Sequence, residues 1–202
     1  EHLGINFWEV RYAANSQPFC HIHKPGIGVG GACIPVYPQF ILKTAKSLEV
    51  DCKLTRSGRI LNNSMPKYCV RQALKLLKSR NSKNLTITLL GLAFRGGVSD
   101  TRLSPTYEVI KELQKLKVKE IRIHDPLVKK DDIFSKYSNM FLINDLDLAI
   151  KGADLIIIIA DHDEYKKLNN TNIGKSVLYD GRGIIIAENL EGAHYSMIGN
   201  LN

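Results

Sequence analysis

The two halves of the chain differ in the period at which hydrophobic residues recur. Between positions 37 and 83, apolar residues return every three or four positions, which predicts two or three amphipathic helices, the last ending at 79–84. From Leu85 onwards, apolar and β-branched runs of strand length alternate with helical patterns. This alternation predicts a parallel, doubly wound sheet. The expected fold is α/β, with a helical central region at 1–83 followed by a Rossmann-like sheet domain at 84–202.

Start and stop signals mark the elements of the second half. Ser104 is an expected N-cap, because its hydroxyl oxygen can accept from a free N–H of the first turn, and Pro105 suits the first helical position. Helices are predicted at 104–116 and 146–153. Strands are predicted at 85–93, 118–126, 154–160, 175–183 and 194–199.

Three charged residues lie at the carboxyl ends of predicted strands: Arg95, Asp125 and Arg182. Ligands of doubly wound sheets bind beyond the carboxyl ends of the strands, so we expect these residues at one ligand-binding edge. Two arginines at that edge can clamp a phosphate group. They can equally be ordinary surface arginines, and their position alone favours neither interpretation.

The charge of the chain favours an anionic partner. The 202 residues include 28 Lys or Arg against 20 Asp or Glu, a formal charge of +8. The basic residues form no stripe interleaved with aromatic residues, which argues against nucleic acid as the partner. No apolar run approaches the ~20 residues that span a bilayer, so no membrane partner is expected. A phosphorylated small molecule fits the charge.

Cysteine usage indicates a cytoplasmic protein. The four cysteines form no C-x-x-C, and no paired histidine spacing indicates a metal site. The chain shows no secretory signal pattern, so its thiols are expected to be reduced. Its first fifteen residues look like a domain interrupted partway, so we expect a preceding part to be missing. Three of the cysteines are expected to be small buried residues: Cys20, Cys52 and Cys69.

The segment GIGVGGACIPVYP at 26–38 raises the question of a nucleotide cradle. Gly26, Gly28 and Gly31 match the pattern G-x-G-x-x-G. A dinucleotide fingerprint needs a strand before it and a helix directly after it, whereas Pro25 precedes these glycines and Pro35 and Pro38 follow them. No NAD fingerprint is therefore predicted. The glycines suit a loop whose N–H groups wrap around an anionic ligand.

Cys33 follows these glycines and precedes a helix predicted to begin near Pro38. A helix N-terminus and basic surroundings favour the thiolate, which is the reactive form of cysteine. The pattern allows two interpretations, covalent chemistry on an anionic substrate or a structural cysteine beside a tight turn.

Several separate motifs resemble those of the UDP-glucose/GDP-mannose dehydrogenase family. PGIGVGGACIPVYPQFI at 25–41 resembles its catalytic-cysteine loop, and LLGLAFRGGVSDTRLSP at 89–105 resembles its substrate-binding turn. VLYDGRG at 177–183 is similar to its late D-G-R motif, and the segments 1–19 and 58–70 resemble the helices around the loop. The similarity covers nearly the whole chain in the family's order.

The resemblance implies oxidation of the C6 hydroxyl of a nucleotide sugar to a carboxylate, with two NAD⁺ and no metal. Cys33 matches the nucleophile that holds the intermediate, first as a thiohemiacetal and then as a thioester. Arg102 matches an arginine on the NAD side. The positions that match substrate-binding residues are Lys24, Gly30, Phe94, Arg95 and Arg182. Within the family, the motifs favour UDP-N-acetylmannosamine as substrate, with UDP-N-acetylglucosamine or UDP-glucose as alternatives.

The sequence departs from the family pattern at several places. Tyr37 stands where the family usually has an Asp that assists thioester hydrolysis, and Arg95 stands where Lys is commoner. Leu103 replaces a typical Glu, and Phe19 replaces an Arg that reaches the neighbouring subunit's substrate. The family's NAD-binding domain has no counterpart in the sequence. We therefore expect the chain to bind UDP or a UDP-sugar without turning it over alone.

Two other functions remain open at this point. A non-catalytic nucleotide-binding or dimerisation module would explain Tyr37 and the missing NAD-binding domain. A cysteine hydrolase would need His21 or His23 beside Cys33. In either case, the helices of the first half are expected to form a homodimer, because their apolar faces are too broad for the sheet domain alone to cover.

Overall fold

The computed structural model describes residues 1–77, 84–190 and 194–200. The α-helices are α1 (Phe7–Asn15), α2 (Tyr37–Ser47), α3 (Lys53–Lys75), α4 (Pro105–Lys115), α5 (Leu146–Ile150) and α6 (Asn170–Ile173). The strands are β1 (Thr86–Leu90), β2 (Glu120–His124), β3 (Met140–Leu142), β4 (Leu155–Ile158), β5 (Val177–Asp180) and β6 (Tyr195–Met197). Short 3-10 helices span Asp132–Lys136, Asp163–Lys167 and Ala187–Leu190.

The strands form one parallel sheet in the order β3-β2-β1-β4-β5-β6. The first strand, β1, lies in the centre of the sheet, and β2 and β3 are added on one side of it. The chain then crosses back, and β4 pairs with the other side of β1. The register places Leu90 beside both His124 and Ile158, so the carboxyl ends of the three central strands lie level. The direction of winding reverses between β1 and β4, which is the place where doubly wound folds bind ligands.

Both faces of the sheet are covered, which explains why its central strands are apolar throughout. Alternate residues of β1 and β4 point to opposite faces, and they belong to two separate buried clusters. The residues Ile87, Leu89 and Ile157 pack in the larger cluster, together with α3 and α4 side chains. The smaller cluster, on the other face, includes Leu90 and Ile158.

Helix α1 is anchored to the residues that directly follow β6. The Phe7 N–H donates to the carbonyl of Gly199 at 2.8 Å, and Trp8 Nε1 donates to the carbonyl of Ile198 at 2.7 Å. Trp8 also lies against Gly183, where an added Cβ would come within 2.1 Å of the indole ring. Helix α1 and the residues after β6 therefore meet at one side of the sheet.

The structure confirms the predicted fold class, a doubly wound parallel sheet preceded by helices. The Ser104 hydroxyl accepts from the Thr106 N–H, which confirms the predicted N-cap. The observed strands are shorter than predicted, and β3 was not predicted at all. The predicted boundary between the two regions follows residue 83, which lies outside the described residues, and it stays a prediction.

The described helices include none that is both long and apolar enough to cross a bilayer. Helices α2 and α3 nevertheless carry large exposed apolar side chains. The most exposed of them is Leu54, at 90%. Others on these helices are Tyr37, Phe40, Ile41, Ile60 and Leu61.

Candidate functional site

The glycine loop packs directly onto the turn that follows β1. An added Cβ at Gly30 would come within 2.8 Å of the Phe94 Cβ and 2.6 Å of the Leu103 carbonyl oxygen. Gly31 has a φ of +91°, and a Cβ there would lie 3.1 Å from the Phe94 ring. The Gly31 N–H donates to the Arg102 carbonyl at 2.9 Å. Glycine is required at these positions because the two segments approach more closely than side chains allow.

Arg182 follows β5 and lies against the start of the same loop. A Cβ at Gly26 would come within 3.0 Å of Arg182 Nη1. Gly181, the residue before Arg182, leaves room for Ile27. A Cβ at Gly181 would lie 2.3 Å from the Ile27 side chain. The guanidinium donates from Nη2 to Asp161 Oδ1 at 3.1 Å. The loop, the β1 turn and the β5 turn thus converge at the carboxyl edge of the sheet.

Asp161, three residues after the end of β4, holds the turn that carries Phe94 and Arg95. Its Oδ1 accepts from the Gly96 N–H at 2.9 Å. Burial opposes ionisation of this carboxyl, yet the Gly96 N–H and the charge of Arg182 hold the pKa of Asp161 below its usual value. It is therefore a carboxylate at neutral pH.

Asp125 lies at the predicted edge, but its oxygens are occupied by backbone groups. Oδ2 accepts from the N–H groups of Leu92 and Ala93 at 2.8 and 2.9 Å. Oδ1 accepts from the N–H groups of Leu127 and Val128 at 2.9 and 3.0 Å. The residue ties the β1 turn to the β2 turn, and it has a structural role.

The ionisation of Asp125 reflects these contacts. Burial alone would raise its pKa, but the His162 ring and the N–H groups of Ala93 and Leu127 hold the pKa at about 2. His162 Nε2 lies 3.3 Å from Asp125 Oδ2, and His162 Nδ1 lies 3.4 Å from the donor nitrogen of Gly97. His162 therefore bridges Asp125 and the glycine pair of the β1 turn.

Asp180, at the end of β5, shapes the turn that presents Arg182. Oδ1 accepts from the N–H groups of Arg182 and Gly183, and Oδ2 accepts from those of Ile184 and Ile185, all within 2.9 Å. Deep burial nevertheless raises the pKa of Asp180 above its usual value. The sequence analysis assigned no role to Asp161 or Asp180. Asp161 follows the apolar run at 155–160, and Asp180 is the last residue of β5. Their position at the end of an apolar run is the signal by which they could have been found.

Cys33 is exposed beside the N-terminus of α2. Its carbonyl accepts from the N–H groups of Val36 and Tyr37 at 3.0 and 2.9 Å, so the loop turns directly into the helix. Asp100, paired with Arg102 at 2.6 Å, raises the pKa of that arginine, and the charge of Cys33 raises it further. The exposed thiol is thus a neighbour of Arg102.

The structure connects the other assigned residues unequally. Gly30, Phe94 and Arg182 belong to one network of contacts, as described above. The Arg95 guanidinium lies over the Phe94 ring, 5.8 Å from its centroid. Arg95 and Lys24 are both exposed, and neither forms an ion pair within the described residues. Among residues 1–77, 84–190 and 194–200, no group of His, Cys, Asp or Glu side chains is arranged to hold a metal ion.

Known proteins with this arrangement share both sequence and fold with the chain. UDP-N-acetyl-D-mannosamine dehydrogenase of Pyrococcus horikoshii is 38% identical over 188 residues, which cover 90% of this chain and 41% of that relative. A solved structure of UDP-D-ManNAc dehydrogenase from the same organism has a TM-score of 0.84 at 35% identity, covering 98% of this chain and 45% of that one. The UDP-N-acetyl-mannosamine dehydrogenase structure from Staphylococcus aureus has a TM-score of 0.77 at 32% identity, covering 99% and 44%. The chain thus spans less than half the length of these relatives.

Two family models match consecutive parts of the chain. The central domain of the UDP-glucose/GDP-mannose dehydrogenase family matches residues 1–64, which include the glycine loop and Cys33. The UDP binding domain of the same family matches residues 88–187, which include the turns after β1, β4 and β5. The two matches follow the family's own order and meet at the site described above. The chain therefore belongs to the UDP-glucose/GDP-mannose dehydrogenase family.

Proposed function

We propose that this chain is the substrate-binding part of an NAD-dependent UDP-sugar 6-dehydrogenase, with Cys33 as its nucleophile. The observation that carries the proposal is the convergence of the glycine loop, Phe94 and Arg182 at the carboxyl edge of the sheet. This edge lies at the switch in strand order, where phosphorylated ligands of doubly wound folds bind. The assigned substrate contacts are Lys24, Gly30, Phe94, Arg95 and Arg182.

Each assigned group suits one part of a nucleotide sugar. The guanidinium of Arg182 provides charged donors for a diphosphate, and the exposed Arg95 provides further ones. The backbone of Gly30 allows a sugar to approach closely, because no side chain intervenes. The net charge of +8 attracts the dianionic diphosphate to this edge.

Cys33 supplies the covalent chemistry. Its thiolate adds to the C6 aldehyde carbon, a C–S bond forms, and the oxygen takes a proton to give a thiohemiacetal. Loss of a hydride and a proton from this intermediate leaves a thioester. Water then adds, the C–S bond breaks, and the carboxylate and two protons leave while the thiolate is restored. The bound thioester keeps the reactive aldehyde from escaping between the two oxidations.

NAD⁺ would accept the hydride of each oxidation. The described residues, however, form no dinucleotide cradle: the glycine loop is not preceded by a strand, and 14 positions separate the end of β1 from the start of α4. Arg102 is the residue of this chain that we assign to the NAD side, and it is exposed. We infer that the 202-residue chain alone binds the sugar nucleotide and produces no NADH.

We expect a group other than Tyr37 to activate the hydrolytic water. Its side chain is 60% exposed at the start of α2, four residues after Cys33. A phenol lacks the carboxylate that the family usually provides for this step. The thioester step is therefore expected to be the slow one, and a burst of NADH before steady turnover would reveal this in an active enzyme that contains the chain.

The sugar is proposed from the relatives. The relatives named above are dehydrogenases of UDP-N-acetylmannosamine, and we propose the same substrate here, with UDP-N-acetylglucosamine or UDP-glucose as alternatives. Titration calorimetry of the chain with UDP, these three UDP-sugars and GDP tests the proposal. Binding of UDP and UDP-N-acetylmannosamine, with GDP much weaker, is expected; failure to bind any uridine nucleotide would refute it.

We also propose that the chain forms a homodimer through α2 and α3. The support is the row of exposed apolar side chains on these helices, which includes Leu54 at 90% and Ile60 and Leu61 at 64% each. Sedimentation velocity at tens of micromolar is expected to show a dimer, and replacement of Ile60 and Leu61 by Glu is expected to shift it to monomer. A monomeric parent chain would contradict this part of the proposal.

A non-catalytic nucleotide-binding module is the alternative from another class. It shares the UDP site but not the nucleophile, so UDP binding does not separate the two. In an active dehydrogenase that contains this chain, Cys33→Ser is expected to abolish carboxylate formation while UDP binding persists. Undiminished carboxylate formation would reject Cys33 as the nucleophile.

A further inference from the structure

One oxygen of Asp161 joins two segments that we assign to the substrate. Oδ1 accepts from the Gly96 N–H at 2.9 Å and from Arg182 Nη2 at 3.1 Å. The first donor belongs to the turn that carries Phe94 and Arg95. The second is the arginine assigned to the diphosphate. These donors lie 65 and 21 positions from Asp161 in the sequence, so the carboxylate is a long-range connection.

The backbone around this connection is too closely packed to adjust freely. A Cβ at Gly96 would lie 2.2 Å from the Asp161 carbonyl oxygen and 2.8 Å from the His162 nitrogen. On the other side of Arg182, a Cβ at Gly26 would lie 3.0 Å from Nη1. The guanidinium is therefore held between the Asp161 carboxylate and the start of the glycine loop.

A carboxylate beside a phosphate-binding arginine has two opposite effects. It fixes the guanidinium plane, which favours binding, and it repels an anion, which opposes binding. Two observations favour the first effect. The hydrogen bond from Arg182 to Asp161 uses Nη2. A guanidinium has five N–H donors, so this bond leaves others for a ligand. The same oxygen also accepts from Gly96, so part of its charge is already compensated.

We propose that Asp161 is a positioning residue for the nucleotide sugar. It holds Arg182 and the turn at Phe94–Gly97 in the relative orientation in which a bound diphosphate meets them. This inference deepens the proposed function and rests on it. Its side chain acts through its neighbours, Gly96 and Arg182.

A double-mutant cycle measured by calorimetry with UDP tests this role. Asp161→Asn keeps an oxygen that can accept from Gly96 but removes the charged partner of Arg182. We expect it to weaken UDP binding about tenfold, which is the scale of one charge-assisted hydrogen bond. The matched control is Asp163→Asn, whose exposed side chain pairs with Lys166 in the next turn, and its effect is expected to stay within about twofold.

The effect of Asp161→Asn in the absence of Arg182 distinguishes a positioning role from a general structural role. In an Arg182→Ala background, Asp161→Asn is expected to change the UDP dissociation constant by less than about twofold, because its partner is gone. An equal loss in both backgrounds would overturn the proposal, and so would unchanged or tighter UDP binding by Asp161→Asn alone. Thermal melting checks the fold of each variant, and the same cycle with Asp161→Ser decides the matter if the Asn variant melts early.

The outcomes also separate this inference from the proposed function. If the parent chain binds UDP but the cycle shows no coupling, only the role of Asp161 fails. If the parent chain binds no UDP at all, the proposed function fails and this inference fails with it.

Discussion

Replacement of Asp125 by Asn tests how the site is held in place. The side chain is fully buried, and its two oxygens accept from four backbone N–H groups in the turns after β1 and β2. Asn keeps one acceptor oxygen and replaces the other with an NH₂ group, which faces donors. Two buried N–H groups therefore lose their partner. At ~1–3 kcal/mol for each unsatisfied group, the free energy of unfolding at pH 7 is expected to fall by about 2–6 kcal/mol.

The same substitution has a defined pH dependence. The folded pKa of Asp125 is about 2 and the unfolded value is ~3.9, which corresponds to about 2.6 kcal/mol of stability. Because the folded pKa is the lower one, this contribution is fully present above about pH 5 and is lost as the pH falls towards 2. About half of it is gone at pH 3. The Asn variant cannot ionise, so the stability difference between parent and variant is expected to narrow as the pH falls.

Urea unfolding followed by circular dichroism, at pH values from 7 to 3, measures both effects. Asp163→Asn is the matched control, because Asp163 is exposed and water screens its ion pair with Lys166. A variant within about 0.5 kcal/mol of the parent at pH 7 would refute the assignment of Asp125 as the acceptor of four N–H groups. A stability difference that stays constant with pH would refute its lowered pKa.

Three further predictions concern reactivity, packing and ligand response. Iodoacetamide is expected to label the exposed Cys33 much faster than Cys69, which is buried with a pKa raised by that burial to about 12; equal labelling rates, measured by mass spectrometry, would contradict the exposure of the loop. Gly96→Ala is expected to lower the free energy of unfolding by ~1–3 kcal/mol, because the added Cβ overlaps backbone atoms. Gly58→Ala, which has open space inside α3, is expected to raise it by ~0.5–1 kcal/mol. Thermal melts in which both substitutions shift the melting temperature in the same direction would be inconsistent with this packing. Trp8, the single tryptophan, contacts the turn that carries the assigned arginine, so UDP is expected to change its fluorescence, and a flat titration at saturating UDP would count against that contact.

Local patterns were sufficient to predict most elements of the fold. The N-cap at Ser104 and the helix that follows it depend on contacts within a few residues, so the sequence predicts them well. The fully buried strand at Leu155–Ile158 was equally clear, because the six consecutive apolar residues 155–160 lie between Asp154 and Asp161. Strand β3 was missed because it has three residues, of which only Met140 is buried. So short an edge strand has no period to detect, and it forms because β2 supplies a partner.

The site divides in the same way. The loop of Cys33, the turn at Phe94 and the D-G-R motif at Arg182 could be found from the sequence, because each is a continuous motif. The role of Asp125 could not, since its position after a strand suggested a ligand and its four backbone partners became visible only in the fold. Asp161 carried no motif that was recognised at all.

By itself, the sequence determined the helical first half, the parallel sheet, the glycine loop and the family. These features depend on periodicity and short motifs, which are properties of neighbouring residues. Only the tertiary structure decided which turns meet. The strand order brings the ends of β1, β4 and β5 together, so that a carboxylate at Asp161 reaches both Gly96 and Arg182. Such contacts join residues far apart in the chain, and their partners are set by the order in which the strands pair.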